Sequence, residues 1–206
     1  MTDHCFSATD IDEMEPRYRA NLVNSVSGFK SASVVGTSQG RSYLENLAIV
    51  SSVVHVGAHP PLIGMVMRPH TVVRDTLHNI KTTGCYTLNQ VHCDWTKQAH
   101  QTSARYPTEV SEFRATGLTP WYSKTFDAPF VNESPLKLAM KVESILPITA
   151  NNTEFVIGRI HQVWINKEKI SEQGQVDLSE LGIACISGLD TYHKPERVAR
   201  FAYAKP

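Results

Sequence analysis

The residue types best suited to chemistry lie between positions 65 and 84, in the stretch MVMRPHTVVRDTLHNIKTTG. An apolar run ends at Arg68-Pro69, and a helical pattern begins near Thr71 with Arg74 and Thr76 in its first turns. A helix start offers partial positive charge and free N–H groups, and arginine adds donors that match phosphate oxygens. The alternative is an ordinary helix that Thr71 caps. On this stretch alone the alternative is favoured, because capped helices are far commoner than phosphate sites.

A second group of polar side chains lies in ENLAIVSSVVHVGAHPPL, residues 45–62. Asn46, Ser51 and Ser52 interrupt an otherwise apolar strand pattern. Buried polar groups need hydrogen-bond partners, and a heteroaromatic ring with carbonyl and N–H edges would supply them. The alternative, again favoured when the stretch is taken alone, is that these side chains bond to the backbone at a bend or bulge.

Other motifs provide weaker signals. In SGLDTYHK, residues 187–194, Tyr192 could lie over a planar ligand, although simple packing is the commoner use of such a residue. His92 and His100 are eight residues apart, and neither has a helical partner four residues away to complete a zinc site, so we predict no metal. The chain has no GxSxG elbow for serine chemistry, and no catalytic residue is identified.

The composition is that of a globular protein with a balanced charge. The 206 residues include 20 Lys+Arg and 20 Asp+Glu, so the basic excess typical of nucleic-acid binding is missing. No apolar stretch approaches the roughly 20 residues of a membrane span, and the polar start is unlike a signal peptide. Four scattered cysteines fit reduced thiols. We therefore expect a cytoplasmic protein without nucleic-acid or membrane partners, with a flexible N-terminal arm at 1–15 and one domain at 16–206.

Strand patterns predominate among the elements that must position these residues. Period-two alternation and β-branched residues predict strands at 31–37, 46–56, 61–68, 85–91, 136–148 and 155–167. Helices are predicted from Pro16 until just before Gly28 and over 72–83, with helical or mixed structure at 93–115. The long loop at 120–134 could cover a site. Many strands with few helices indicate a β-barrel with helical excursions.

The order of several short motifs resembles a known family. These motifs are Asn46-Leu47-Ala48 with Ser51, His59-Pro60-Pro61-Leu62, Arg74-Asp75-Thr76 with Asn79-Ile80, Thr83-Gly84, and Tyr86-Thr87-Leu88-Asn89. Together they resemble the flavin reductase-like FMN-binding split-barrel proteins, and most closely the flavoredoxin-like branch. The resemblance implies a mainly β fold with α (α+β), a Greek-key split β-barrel of the FMN-binding flavin reductase type.

The resemblance also assigns roles to residues. It implies that Arg74 and Thr76 hold the FMN phosphate with help from Arg68 and Thr71, and that one strand lines the ribityl chain and the isoalloxazine edge. The cofactor-binding set that it implies is Asn46, Leu47, Ala48, Ser51, Ser52, Arg68, Thr71, Arg74, Asp75 and Thr76.

The function implied by the resemblance is an NAD(P)H-dependent FMN oxidoreductase that passes electrons to free flavin, a ferric complex or a protein acceptor. The main alternative is a flavin-binding electron carrier or sensor without its own nicotinamide site. A barrel that has lost flavin is a third reading. A homodimer with shared flavin sites is also implied. Apolar residues on both faces of FVIGRIHQVWINK support it, with Val156, Gly158, Ile160, Gln162 and Trp164 predicted on one face.

Overall fold

The computed structural model describes residues 3–41, 43–68 and 75–205. Its helices are α1 Ala8–Glu13, α2 Pro16–Val26, α3 Asp75–Thr83, α4 Thr96–Gln101 and α5 Glu112–Thr116. Its strands are β1 Lys30–Ser31, β2 Ser33–Thr37, β3 Asn46–Val50, β4 Val53–Gly57, β5 Leu62–Met67, β6 Cys85–Gln90, β7 Pro120–Trp121, β8 Phe130–Val131, β9 Leu136–Ile148, β10 Thr153–Ile165, β11 Cys185–Ser187 and β12 Thr191–His193. Short 3-10 helices occupy Cys93–Trp95 and Lys167–Lys169.

A seven-stranded antiparallel sheet forms the body of the fold, in the order β3-β2-β6-β9-β10-β5-β4. The sheet curves into a half-barrel whose two edge strands are β3 and β4. Smaller sheets join β1 with β11 and β12, and β7 with β8. The mainly β, split-barrel architecture predicted from the sequence is confirmed.

The core lies on both sides of this sheet. One cluster contains Met65, Leu77, Tyr86 and Met140 and packs α3 against the barrel interior. A second cluster, which includes Trp95 and Phe113, packs α4 and α5 against β2 and β3. Each cluster forms because alternate residues of the strands bring apolar side chains to one face of the sheet. Burial of each large side chain contributes on the order of 1.5–3 kcal/mol.

The long hairpin β9–β10 departs from the alternation predicted for it. Val156 is fully buried and Gly158 and Ile160 follow it on the inner face, as predicted. A bulge between Ile160 and Gln162 then shifts the register, so that Gln162 pairs with Ala139, whereas Ile160 pairs with Met140. Because one extra residue inverts the alternation, the prediction that Trp164 shares a face with Val156 is wrong.

Apolar side chains also cover the outer side of the same strands. The register places Val54 opposite Gly64, Gly64 opposite Ile157, and Phe155 between Val66 and Leu146. These five side chains, Val54, Val66, Leu146, Phe155 and Ile157, are called the outer apolar face below. Val54 and Leu146 are 49% and 48% exposed in the single chain.

Several local predictions differ from the structure in detail. The predicted strand 46–56 is broken at Ser51-Ser52 into β3 and β4. Helix α1, which the sequence reading did not anticipate, begins with a capping box in which Ser7 and Asp10 bond reciprocally. Helix α3 ends before Gly84, as predicted, and the φ of +66° at Gly84 favours glycine.

The 120–134 loop packs on the barrel and is tied to the β2–β3 connection. Trp121 contacts Trp164 and Phe130 with ring centroids 4.8 and 5.1 Å apart. The Arg41 guanidinium donates to the Asp127 carboxylate at 2.8 Å and to the Ser123 carbonyl at 2.5 Å. The loop is therefore an ordered wall of the barrel. In the part of the chain that the structure describes, no helix is long and apolar enough to cross a membrane.

Candidate functional site

A cavity of about 190 Å³ opens between the start of β3, the start of α3 and the segment that precedes α5. It brings together residues that are far apart in sequence. Its lining residues are Gln39, Tyr43, Leu44, Glu45, Asn46, Asp75, Asn79, Thr108, Val110 and Glu112. Two residues of the predicted cofactor set, Asn46 and Asp75, therefore line one cavity. None of its lining residues comes from the 120–134 loop.

Asn46 is the hub of the polar network beside this cavity. Its amide oxygen accepts hydrogen bonds from the hydroxyls of Thr76 at 2.7 Å and Thr37 at 3.1 Å. Its amide nitrogen donates to Glu112 Oε2 at 2.9 Å. Asn79 completes the network by donating to Thr37 Oγ1 at 3.2 Å. Asn46 thus links β3 to β2, α3 and α5 through one side chain.

Glu112, the first residue of α5, closes the outer edge of β3. The Oε2 atom that binds Asn46 also accepts the backbone N–H of Leu47 at 3.0 Å. The Glu112 residue is only 8% exposed. Burial raises the pKa of its carboxyl, and the nearby Asp75 charge raises it further, while the hydrogen bonds from Leu47 and Asn46 act in the opposite direction. Burial is the largest of these effects.

The first residues of α3 form one end of the cavity. Asp75 Oδ1 accepts from the Thr108 hydroxyl at 3.3 Å, which ties the segment before α5 to this helix. Thr76 is buried, and its hydroxyl proton points to Asn46. The predicted contact of Thr76 with a phosphate would require this hydroxyl to turn away from Asn46, so in this structure Thr76 supports Asn46.

The remaining strand residues of the predicted set have different surroundings. The Leu47 side chain is fully buried in the core, so only its backbone can reach a ligand. The Ser52 hydroxyl donates to the Val66 carbonyl at 2.8 Å and accepts the Val66 N–H at 3.2 Å. This is the bend-stabilising role that the sequence offered as the alternative for Ser52. Ala48 and Ser51 are half-buried.

These residues occupy two ends of a long strip. Asn46 and Ser51 are five residues apart along the strand direction, a span of roughly 16 Å. Asn46 begins β3, and Ser51 lies in the bend after the end of this strand. β3 has a neighbouring strand on one side alone, and Glu112 accepts the Leu47 N–H on its other side.

The three predicted basic or capping residues are described less fully. Arg68 follows β5 and is exposed. Thr71 and Arg74 lie outside the described residues, so their assignment to a phosphate stays a prediction from the sequence. Among the described residues that line the cavity, none is lysine or arginine.

The charge of the cavity wall tests which part of a flavin could fit there. Glu45, Asp75 and Glu112 all contribute carboxyl groups to the wall. Such groups accept hydrogen bonds from the hydroxyls of a ribityl chain and repel a phosphate. The wall therefore fits the polyol and ring of a flavin better than it fits a phosphate.

Sequence reasoning missed the residues that approach from the α5 side. Glu112 is 66 residues from Asn46, and no local motif marks it as a partner of β3. Thr108 and Tyr43 likewise come from connecting segments. The ring of Tyr192, the weaker sequence candidate, packs edge-on to the ring of His100. The Tyr192 hydroxyl lies 3.2 Å from His100 Nδ1, in agreement with the packing alternative.

Comparison with known proteins gives a consistent picture. The sequence profile of the family described as "Flavin reductase like domain" matches residues 26–178. A solved structure from Shewanella frigidimarina, described as a candidate flavin reductase with a split barrel domain, is 48% identical. The two structures superpose with a TM-score of 0.93 over 98% of this chain and 100% of the other.

Two more distant structures share the fold. The flavoredoxin of Desulfovibrio vulgaris (Miyazaki F) is 20% identical, with a TM-score of 0.73 over 85% of this chain and 92% of its own. An FMN-binding protein of Thermus thermophilus is 15% identical, with a TM-score of 0.74 over 97% of this chain and 100% of its own.

Proposed function

This chain belongs to the flavin reductase-like domain family, and from that premise we propose that it is an FMN-binding oxidoreductase. Its electron donor in this proposal is NAD(P)H, and its acceptor is free flavin, a ferric complex or a protein. One observation carries the proposal: Asn46 and Asp75, assigned to the cofactor from two separate sequence motifs, line the same cavity. The Thermus protein described as FMN-binding shares the fold and supports FMN as the flavin.

In this proposal, different residues bind different parts of the cofactor. The wall formed by Glu45, Asn46 and Asp75 supplies acceptors and an amide for the ribityl hydroxyls and the ring edge. Arg74, with Arg68 and Thr71, supplies the positive charge and donors that the phosphate requires. The exposed Tyr43 side chain borders the cavity.

The cofactor provides the redox chemistry. When bound, flavin accepts a hydride at its N5 atom and passes electrons onward. The protein must therefore bind the flavin, hold its ring with one face accessible, and tune the ring through hydrogen bonds. Because proton abstraction by a side chain is not required for these tasks, no residue of the cavity is assigned as a general base.

The proposal includes a homodimer. The outer apolar face remains open in the single chain, since Val54 and Leu146 keep about half of their surface exposed. A sheet face of this kind is normally covered by helices or by another subunit. A second copy of the chain, packed on this face, would bury it symmetrically.

The direct test is the absorbance spectrum of gently purified protein, followed by anaerobic mixing with NADH and with NADPH. We expect a flavin spectrum at near one FMN per chain, and bleaching by at least one nicotinamide. A colourless protein that takes up no FMN in equilibrium dialysis contradicts the proposal. Flavin that neither nucleotide bleaches would instead identify an electron carrier or sensor.

The phosphate assignment has its own test. The substitution Arg74→Ala should weaken FMN binding by about 1.5–3 kcal/mol, the range for hydrogen bonds to charged groups. Riboflavin lacks the phosphate, so its affinity should be nearly the same in wild type and variant, as titration calorimetry can show. Equal losses for both ligands would mean that Arg74 supports the fold.

A further inference from the structure

We propose that Glu112 is a positioning residue of the flavin site, because it fixes the orientation of the Asn46 side-chain amide. This inference rests on the proposed function, since it concerns the same cavity. Glu112 belongs to α5 and is absent from the motifs that identify the family in this sequence. Its role follows from its contacts with β3.

One oxygen atom of Glu112 makes both contacts with β3. Oε2 lies 2.9 Å from Asn46 Nδ2 and 3.0 Å from the Leu47 backbone nitrogen. The first contact is with the Asn46 side chain, which lines the cavity. The second contact, with the Leu47 backbone, holds the carboxyl at the strand edge. The side chain therefore approaches Asn46 from a fixed position, which a solvent-exposed glutamate could not maintain.

The two ends of the Asn46 amide have different kinds of partner. On one side the Thr37 and Thr76 hydroxyls both donate to the amide oxygen. On the other side the carboxylate oxygen of Glu112 accepts from the amide nitrogen. Hydroxyls can donate or accept, whereas a carboxylate oxygen only accepts, so a flipped amide would place its oxygen against the oxygen of Glu112. Glu112 therefore selects the orientation of the amide.

The selected orientation determines what Asn46 and its neighbours offer to a ligand. With the amide held, the Thr76 hydroxyl at the start of α3 is directed to Asn46, and Asn79 is directed to Thr37. Asn46, Asn79 and Glu112 all line the cavity. A change at Glu112 therefore propagates through hydrogen bonds to the cavity surface, without any need for Glu112 to touch the flavin.

The test is a double-mutant cycle with FMN affinity as the readout. Glu112→Ala removes the oxygen that accepts both N–H groups, so the Kd for FMN should rise about tenfold or more, whereas Glu112→Gln keeps an accepting oxygen and should stay close to the wild-type Kd. In an Asn46→Ala background the Glu112→Ala substitution should change the Kd by less than about twofold, because the group that Glu112 orients is gone. Glu109→Ala, at an exposed site in the same segment, is the matched control and should leave the Kd unchanged.

Thr37→Val provides a second variant in case Glu112→Ala does not fold. It removes a buried donor to the same Asn46 oxygen without altering a residue that lines the cavity. It should also raise the Kd for FMN in the wild-type background, and less so with Asn46→Ala. Equal effects of Glu112→Ala in both backgrounds, or no effect of Glu112→Ala on FMN binding in folded protein, would overturn the inference. Wild-type protein that binds no FMN would overturn the proposed function itself, and this inference with it.

Discussion

The two edges of the seven-stranded sheet differ sharply. At the β3 edge, the chain's own helices α3 and α5 approach the strand, and Glu112 takes up the Leu47 N–H. At the β4 edge, Val54 and Val56 remain 49% and 42% exposed. The first edge is closed by polar groups and the second is left open and apolar.

This difference separates the two tasks of the molecule. An edge closed by side chains of three elements can hold a small ligand in a defined geometry, because each polar group has a partner. An apolar edge without a cover within the chain is suited to association, since a large exposed apolar surface favours contact with another protein. The cofactor is therefore expected at the β3 edge and the second copy on the outer apolar face. The two edges meet at Ser51-Ser52, where β3 passes directly into β4, so a second copy can border the flavin site as the resemblance implies.

The largest effect is expected from charges on the open side. The double substitution Val54→Glu with Leu146→Glu places two carboxylates on the outer apolar face. Burying such unpaired charges costs about 3–5 kcal/mol, so the dissociation constant of the proposed dimer should rise by 100-fold or more. Sedimentation equilibrium measures this change. Leu178→Glu, at a similarly exposed position in a connecting segment, should leave the association constant unchanged. A wild-type chain that stays monomeric at micromolar concentration would refute the shared interface.

Two glycines allow the packing behind the two edges to be compared. A Cβ atom at Gly36, on β2 next to β3, would collide with the backbone oxygen of Pro129, which the Thr87 hydroxyl holds at 2.6 Å. A Cβ atom at Gly64, on β5 next to β4, would collide with the Phe155 ring, which lies on the open outer face. We expect Gly36→Ala to lower the free energy of unfolding by about 3 kcal/mol, and Gly64→Ala by about 1 kcal/mol.

Urea denaturation of the two alanine variants gives both values. The larger loss is assigned to Gly36 because a backbone carbonyl fixed by a buried hydroxyl cannot move aside, whereas a partly exposed ring can turn. Equal losses would show that the wall behind β3 is no more rigid than the wall behind β4.

The smallest effect concerns the pH dependence of the closed edge. Burial raises the folded-state pKa of Glu112 above the ordinary value of 4.5. At pH values between the ordinary pKa and the raised pKa, the folded chain keeps a proton on Glu112 that the unfolded chain has released. The free energy of unfolding should therefore fall as pH rises through this window. Glu112→Gln should lack this contribution, as urea denaturation at a series of pH values can test. Identical slopes in both proteins would contradict the prediction.

The strands of the barrel could be predicted because their pattern is local. Alternation and β-branched residues identified β2, β5, β6, β9 and β10 close to their observed limits. The break at Ser51-Ser52 and the bulge after Ile160 could not be predicted, because each depends on a register set by neighbouring strands. The capped helix α1 had a local signal in Ser7 and Asp10, which the sequence reading did not use.

The candidate site was predictable on one side only. Asn46, Asp75 and Thr76 were identified because the motifs that contain them stand in a recognisable order. Glu112 and Thr108 depend on where α5 and the preceding segment pack, and long-range packing leaves no mark in a single sequence. Ser52 is the opposite case: the motifs assign it to the cofactor, but its hydroxyl forms hydrogen bonds with the Val66 backbone.

The anchoring of the 120–134 loop has a consequence for its motions. The Val131 N–H donates to Asn89 Oδ1 at 2.9 Å, and Asn89 is itself fully buried on β6. In hydrogen exchange, an amide of this kind is released only when the barrel opens as a whole, unlike the amides of a typical surface loop. The end of the loop therefore belongs to the same cooperative unit as the central strands, and a ligand that stabilises the barrel would slow exchange at Val131 as much as in β6.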